Sequence, residues 1–504
     1  MMNNILEYLE KTVEEVPDKT AFKGGGTEYT FRQLVDVSRS IGTVLAARDV
    51  RKKPVAVYMK KHPDMIVSFF GVLQAGAFYI PIDEEMPAHR IQYILESIAP
   101  EVVICDDSTL ENAKKLCTKS EILYFKDICG LPADDAALAE IRSRALDIDP
   151  MYVVFTSGST GTPKGVTACH RSVIDYVETL SETLGFSRDT IFGNQAPLYF
   201  DAHLKDVYPT LKFGSTTCLI PKELFMFPVK LMEFLNENRV NTICWVVSAL
   251  SMVSAFGTFK TIKPEYVHTV AFGGEVFQIK QFNAWREALP GASFTNLYGP
   301  TEATGFSCWY KVDREFVPGE VIPIGRPFRN TEVLLIKEDG TEAKDGEPGE
   351  MCIRGTAVTL GYFRNPEKTA ESFVQNPLND SWPEIIYKTG DIAMKNERGE
   401  LVFLSRKDYQ IKHMGHRIEL GEIEAIVSNL DAIKSVCCIF DDERKKIVLY
   451  YIGDIEKGEL SAKLKELMPR YMLPNSLIPL DTMPFTATGK IDRNLLKKRY
   501  MEGK

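Results

Sequence analysis

From residue 30 to about 215, apolar runs of strand length alternate with helical periods, and few architectures accept that alternation. Val55–Tyr58 and Val102–Cys105 read as buried strands, and Met65–Leu73 as a helix ending near Gly76. A second cycle runs from Thr216 to Tyr298, with strands expected at Thr242–Val247, Thr269–Phe272 and Ser293–Leu297. This pattern predicts an α/β fold of two layered subdomains with largely parallel sheets. From about 320 to 405 the texture changes to short strands punctuated by Asp339-Gly340, Asp345-Gly346 and Arg398-Gly399, which predicts a small β subdomain. A small α+β unit follows Arg406, with a helix from near Glu419 and strands at Val436–Phe440 and Lys446–Tyr451. The division is therefore 1–407 and 408–504, with a tight boundary at Arg406–Tyr409 and no repeat or low-complexity linker.

A chain of 504 residues exceeds one compact core, since domains usually hold about 50 to 250. The formal charge is -9, and Tyr409–Lys504 carries 16 Lys and Arg against 14 Asp and Glu, leaving -11 on the rest. An acidic body does not suit broad nucleic-acid binding, whereas a mildly basic tail suits an acidic partner protein. The ten cysteines form no CxxC pair and read as reduced and buried. Ile5, Leu6, Leu9, Val13 and Val16 give the N-terminus an amphipathic helical pattern without the features of a signal peptide. No apolar stretch approaches the roughly 20 residues of a membrane span, so no membrane insertion is expected and the cytoplasm is the default location.

Met151-Tyr-Val-Val-Phe155 reads as a strand and runs into Thr156-Ser-Gly-Ser-Thr-Gly-Thr-Pro-Lys164-Gly165. Small hydroxylated residues and glycines let backbone N–H groups face one anion, and the lysine adds charge. The alternative is a surface turn. The loop is not of the Walker A kind, because Pro163 precedes Lys164 and Gly165 follows it.

This segment resembles the signature loop of the adenylate-forming superfamily, which includes acyl-CoA synthetases, luciferases and peptide-synthetase adenylation domains. Further segments follow in the family's order: Tyr29-Thr-Phe-Arg-Gln-Leu34, Leu73-Gln-Ala-Gly-Ala-Phe-Tyr-Ile-Pro-Ile-Asp83, Asn296-Leu-Tyr-Gly-Pro-Thr-Glu302, Gly349-Glu350 through Gly361-Tyr362, Tyr387-Lys-Thr-Gly-Asp391, Leu467-Met-Pro-Arg-Tyr-Met-Leu-Pro474 and Thr488-Gly-Lys-Ile-Asp-Arg493. The resemblance implies a large core domain and a small mobile one. It also implies ATP and Mg2+ as cofactors, with a carboxylate joined to the α-phosphorus of ATP and pyrophosphate expelled.

On that resemblance the ATP site comprises Thr156, Ser157, Gly158, Ser159, Thr160, Gly161, Lys164, Asn296, Tyr298, Gly299, Thr301, Asp391, Arg406 and Lys490. Tyr298 would stack on adenine, the alternative being a core aromatic. Asp391 would accept the ribose hydroxyls, the alternative being a turn residue. Arg406 resembles the family's ribose- or phosphate-facing arginine. Glu302 is similar to the family's magnesium-binding acid, and with Thr301 and Lys490 it makes the expected catalytic set. The Lys490 ammonium would bridge the substrate carboxylate and ATP, with Thr488 in place of the family's usual Asn. Asp408 is the implied hinge about which the small domain rotates between two half-reactions, and Ser405 stands where Gly is usual.

Pro197-Leu-Tyr-Phe-Asp201-Ala-His-Leu-Lys205-Asp-Val-Tyr-Pro209 resembles the amino-acid-activating branch, in which the Asp after Phe pairs with the substrate α-ammonium. A helix N-cap is the other reading of Asp201. By family alignment the substrate pocket is lined by Asp201, Ala202, Lys205, Cys244, Ala271, Gly273, Leu297, Gly305 and Phe306. Ala271, Gly273 and Gly305 are expected to leave room for a side chain larger than methyl. Lys205 either pairs with Asp206 or meets a polar or acidic substrate side chain.

The implied function is amino-acid activation followed by transfer to the phosphopantetheine thiol of a separate carrier protein, since no carrier segment is expected after Lys490. Similarity is greatest to stand-alone D-alanine–carrier-protein ligases, although Gly273, Gly305 and Lys205 depart from that pattern and favour a larger polar or acidic amino acid. The competing classes are an acyl-CoA synthetase for a non-amino acid, opposed by Asp201, and a non-catalytic binding protein, opposed by Lys490, Asp391 and Glu302.

Overall fold

The computed structural model describes residues 2–158, 162–317, 319–485 and 491–503. The chain divides into two compact units. The first holds Met1–Glu84, Leu95–Val154 and Gly165–Lys407; the second holds Glu85–Ile94, Phe155–Lys164 and Asp408–Lys504.

Two large sheets build most of the first unit. One has six strands in the order Glu121–Tyr124, Val102–Cys105, Pro54–Tyr58, Phe78–Ile82, Pro150–Thr156 and Lys164–Cys169. Its first five strands pair in parallel. The helix Pro63–Gln74 crosses between two of these strands, as a parallel pair requires. Pro63 opens it, where a missing N–H costs nothing, and Gly76 follows its end with φ +65°.

The second sheet has nine strands: Arg326–Pro327, Cys308–Lys311, Ser293–Tyr298, Thr269–Gly273, Thr242–Val246, Ile191–Asn194, Thr216–Leu219, Thr20–Gly24 and Thr27–Thr30. Its middle is parallel and both edges are antiparallel hairpins. The change of sheet comes earlier than the expected break at 215. Ile191–Asn194 already belongs to the second sheet, because the helix His170–Leu184 precedes it as the crossover. The hairpin at 20–30 joins the same sheet, although its short polar strands carry little hydrophobic alternation.

The β subdomain pairs Thr331–Ile336, Gly349–Gly355, Phe373–Gln375, Ile385–Lys395 and Leu401–Arg406 in antiparallel fashion and adds one helix, Pro366–Ser372. The N-terminal helix is Leu6–Glu15, and the Ile5 N–H donates to His170 Nδ1 at 3.3 Å.

In the second unit the hairpin Gln410–His413/His416–Glu419 turns at Met414 and Gly415, both at positive φ, the geometry whose twist suits a two-residue loop. The helix Leu420–Ser428 follows, packed on the sheet Ile433–Asp441, Lys446–Gly453 and Ser476–Pro479. All ten cysteines are free, and nine are buried. Among the described residues no helix is long and apolar enough to cross a membrane.

Candidate active site

The glycine-rich loop links the strands Pro150–Thr156 and Lys164–Cys169. Ser159, Thr160 and Gly161 lie outside the described residues, as does Lys490. The Thr156 hydroxyl is buried and has no hydrogen-bond partner among the described residues. A buried donor left unmatched is costly, so this group suits a ligand's acceptor. Ser157 Oγ donates to the Arg417 carbonyl at 2.9 Å, so here that hydroxyl serves protein. A Cβ on Gly158 would stand 2.0 Å from the Thr162 carbonyl oxygen, an approach that only a glycine at 158 allows.

The strand leaving the loop is tied to a distant segment. The Phe363 N–H donates to the Gly165 carbonyl at 2.7 Å, and the Thr167 N–H to the Gly361 carbonyl at 3.0 Å. This places Tyr362 beside Glu302, and the Tyr362 hydroxyl donates to Glu302 Oε1 at 2.8 Å. The Glu302 main-chain carbonyl accepts the Thr359 N–H at 2.9 Å. Glu302 is 0 % exposed, so its carboxylate is a held and oriented group. Tyr362 lies at the end of a recognised motif, but sequence gives no sign that it touches Glu302.

Glu302 sits in the turn Gly299–Ser307, between the paired strands Ser293–Tyr298 and Cys308–Lys311. The turn folds back so far that the Ser307 N–H donates to the Tyr298 carbonyl at 2.7 Å. A Cβ on Gly299 would meet the Gly305 carbonyl oxygen at 2.4 Å, so its lack of a side chain serves the turn. Thr301 begins this turn's single 3-10 element. Asn296 Nδ2 donates to the Pro323 carbonyl at 2.8 Å and the Ile322 carbonyl at 3.4 Å, which commits its amide donors to the main chain.

Tyr298, Asp391 and Arg406 converge. Asp391 and Arg406 are cross-strand partners in the β subdomain. Arg406 pairs with Asp391 Oδ1, and the Tyr298 hydroxyl donates to Asp391 Oδ2. Burial and the adjacent carboxylate hold the Tyr298 phenol well above its ordinary pKa, so it stays a donor. Its ring packs among Ala303, Cys308 and Ile324. The tyrosine is thus both a core aromatic and a partner of Asp391.

The expected substrate residues fall into two groups. Alternation along the nine-stranded sheet puts Cys244, Ala271, Gly273 and Leu297 on one face, with Ile243, Val270, Phe272 and Phe294 on the other. Cys244, Ala271 and Leu297 share a core with Tyr176 of the helix His170–Leu184 and Leu204 of the helix Leu204–Phe213. Asp201 and Ala202 form a 3-10 turn entering that second helix. Asp201 caps neither element: Phe200 and His203 hold those positions, and no side-chain cap bond is made. Lys205 is 2 % exposed, and burial pushes its ammonium below the ordinary lysine pKa, while nearby Cys244, Asp206 and Asp201 oppose that shift. Lys205 is the first charge that favours the Asp206 carboxylate, although the two share no direct ion-pair contact among the described residues.

At two of the expected pocket glycines an added side chain would meet protein atoms. A Cβ on Gly273 would lie 2.2 Å from the Leu297 carbonyl oxygen, so that glycine permits close strand approach. Gly305 has φ +81°, and a Cβ there would lie 3.0 Å from the Tyr176 ring. Tyr176 thus lies against Gly305, a contact that nothing in sequence tied together. Phe306 is half-buried against the same core.

A family model described as AMP-binding enzyme matches residues 9–363. Zwittermicin A synthase ZmaJ of Bacillus cereus is 32% identical, over 98% of this chain and 95% of its own length. Tyrocidine synthase 3 of Brevibacillus parabrevis is also 32% identical over 98% of this chain, but the chain spans only 8% of that protein. A solved Vibrio cholerae adenylation domain, AlmE, in complex with glycyl-adenosine-5'-phosphate, matches with a TM-score of 0.85 at 19% identity, covering 100% of this chain and 98% of that one. An o-succinylbenzoate CoA synthetase from Bacillus subtilis gives 0.84 at 21% identity, with 99% of each chain covered. At these identities the solved structures share the fold.

Proposed function

The chain belongs to the AMP-binding enzyme family of adenylate-forming enzymes, and from that premise we propose that it activates an amino acid with ATP and passes the aminoacyl group to the phosphopantetheine thiol of a carrier protein. The observation that carries the nucleotide half is the convergence of Tyr298 and Arg406 on the Asp391 carboxylate. A carboxylate fixed from both sides is prepared to accept two ribose hydroxyls without reorganising.

Glu302 is the proposed Mg2+ ligand. Among the described residues no cluster of three or more His, Cys, Asp or Glu could cage a metal. One oriented carboxylate with phosphate and water fits Mg2+, which keeps several waters and seldom takes an all-protein cage. When bound, the ion would neutralise phosphate charge. The Thr156 hydroxyl supplies a donor at the base of the phosphate loop.

In the first half-reaction a substrate carboxylate oxygen attacks the α-phosphorus, and the bond to pyrophosphate breaks. In the second, a thiolate sulfur attacks the acyl carbon and AMP leaves. The protein's part is positioning and charge neutralisation. Asp201 receives the α-ammonium, a role supported by its not capping the following helix. Asp408, the first residue of the second unit's C-terminal segment, is the proposed pivot between the half-reactions. The same fold in a CoA synthetase makes CoA the second candidate acceptor.

Lys490→Ala separates the two steps. We expect it to abolish ATP–pyrophosphate exchange while sparing thiol transfer from preformed aminoacyl-adenylate. Equal failure of both half-reactions would refute the division of labour.

A further inference from the structure

His203 is 0 % exposed, and both of its ring nitrogens are engaged. Nδ1 meets the Phe200 carbonyl, and Nε2 lies 2.9 Å from the Tyr79 hydroxyl. The Tyr79 oxygen is in turn 2.8 Å from the Tyr208 hydroxyl. A carbonyl can only accept, so Nδ1 carries the proton. Nε2 is then the acceptor, Tyr79 donates to it, and the Tyr79 oxygen is left to accept from Tyr208. Each proton of the network thus has one place when the ring is neutral. Burial, opposed by the bond to Phe200, holds the imidazole at about 4 against an ordinary 6.5, so it is neutral at neutral pH. Burial also keeps both phenols protonated.

Four rings enclose the imidazole. Phe69 of the helix Pro63–Gln74 lies 5.6 Å away between centroids, Tyr79 of the strand Phe78–Ile82 6.0 Å, Tyr208 of the helix Leu204–Phe213 6.1 Å and Tyr152 of the strand Pro150–Thr156 6.3 Å. Tyr79 stacks on Phe69 and faces Tyr152 across the paired strands. An apolar side chain would fill this cage without desolvating a polar group, so packing alone does not account for a histidine. What the histidine adds is a hold on one main-chain group. The Phe200 carbonyl accepts its N–H at 3.3 Å as well as its Nδ1–H, which closes the turn around Asp201 and Ala202. That turn is a 3-10 element of three residues without a side-chain cap, and such turns have poor hydrogen-bond geometry of their own. Asp201 is the first charge acting on Tyr152, so its carboxylate lies near the cage.

We propose that His203 is a positioning residue: backed by Tyr79 and Tyr208, it fixes the turn that presents the Asp201 carboxylate to the substrate amine. This role rests on the amino-acid-activating reading above and adds to it how Asp201 is held. Such support matters because a binding group has to be kept within about 0.5 Å of its productive place.

The test compares kcat/KM for ATP–pyrophosphate exchange by the full chain with an amino acid and with its desamino acid. The amino acid is the best substrate among the common twenty in both stereoisomers, and its counterpart lacks only the amine, as propionate does for alanine. His203→Leu is expected to lower kcat/KM for the amino acid by about tenfold to a hundredfold and to leave the desamino acid within about twofold, so the preference for the amine collapses. His203→Asn, whose amide can still donate to the Phe200 carbonyl, is expected to recover part of that preference. Tyr79→Phe removes one oxygen and is expected to shift the ratio the same way by less. Should His203→Leu fail to fold, Tyr79→Phe carries the measurement. Losses of equal size for both acids, or an unchanged ratio, overturn the proposal and leave amino-acid activation standing. Wild-type protein that takes both acids equally overturns the amino-acid reading and this role with it.

Discussion

Single residues at this site serve two masters, and the glycines show it most clearly. Gly273 looks in sequence like room for a ligand, yet it gives room to the neighbouring backbone: a Cβ would stand 2.2 Å from the Leu297 carbonyl oxygen. Gly273→Ala should destabilise the protein by roughly 1–3 kcal/mol, with a matching drop in the urea midpoint. Gly291→Ala is the control, because nothing lies within 4 Å of a Cβ there; its effect should stay within about 0.5 kcal/mol. Equal midpoints for the two variants would dismiss the close-approach account. Sequence could not separate these cases, since one residue type answers both demands. Asp391 and Arg406 stood out by their motifs, and the structure pairs them, whereas the Tyr362 and Tyr176 contacts depend on segments far apart in the chain.

Elements proved more readable than contacts. Val102–Cys105 matches its expected limits, and the helix at Met65–Leu73 lengthens to Pro63–Gln74 because Pro63 and Gly76 mark its ends. The hairpin at 20–30 escaped notice because its polar strands pair at a sheet edge, where alternation carries little signal. One element also carries a pH prediction. The segment leading into the helix Leu6–Glu15 is anchored when Ile5 donates to His170 Nδ1, which requires that nitrogen unprotonated. Burial holds His170 at about 3 against an ordinary 6.5, assisted by Arg142 and opposed by Asp149 and Asp147. The folded value is depressed, so the unfolded chain takes the proton first on acidification. The stabilisation is complete above pH 6.5 and drains as pH falls towards 3, by up to about 1.4 kcal/mol per pH unit. His170→Gln keeps an acceptor but cannot titrate. Between pH 7 and pH 5 the wild type should lose about 1–2 kcal/mol more stability than this variant in urea melts. Equal losses would show that His170 does not titrate as described.

At the scale of the whole molecule, one division between the two compact units falls after Lys407. That Glu85–Ile94 and Phe155–Lys164 cluster with the second unit was beyond sequence reading, because such membership is set by tertiary contact. The family and the fold follow from motifs in register along the chain, but the fold is shared by an adenylation domain and a CoA synthetase alike. The choice between amino acids and other carboxylic acids therefore rests on Asp201. The most direct test is ATP–pyrophosphate exchange with the preferred amino acid and with its desamino analogue, the same acid lacking only the amine. The account predicts exchange with the amino acid and a loss of roughly thirtyfold or more with the analogue, because the charged contact between the substrate amine and Asp201 would be absent. Equal exchange with the desamino acid would contradict it and place the enzyme among ligases of non-amino acids.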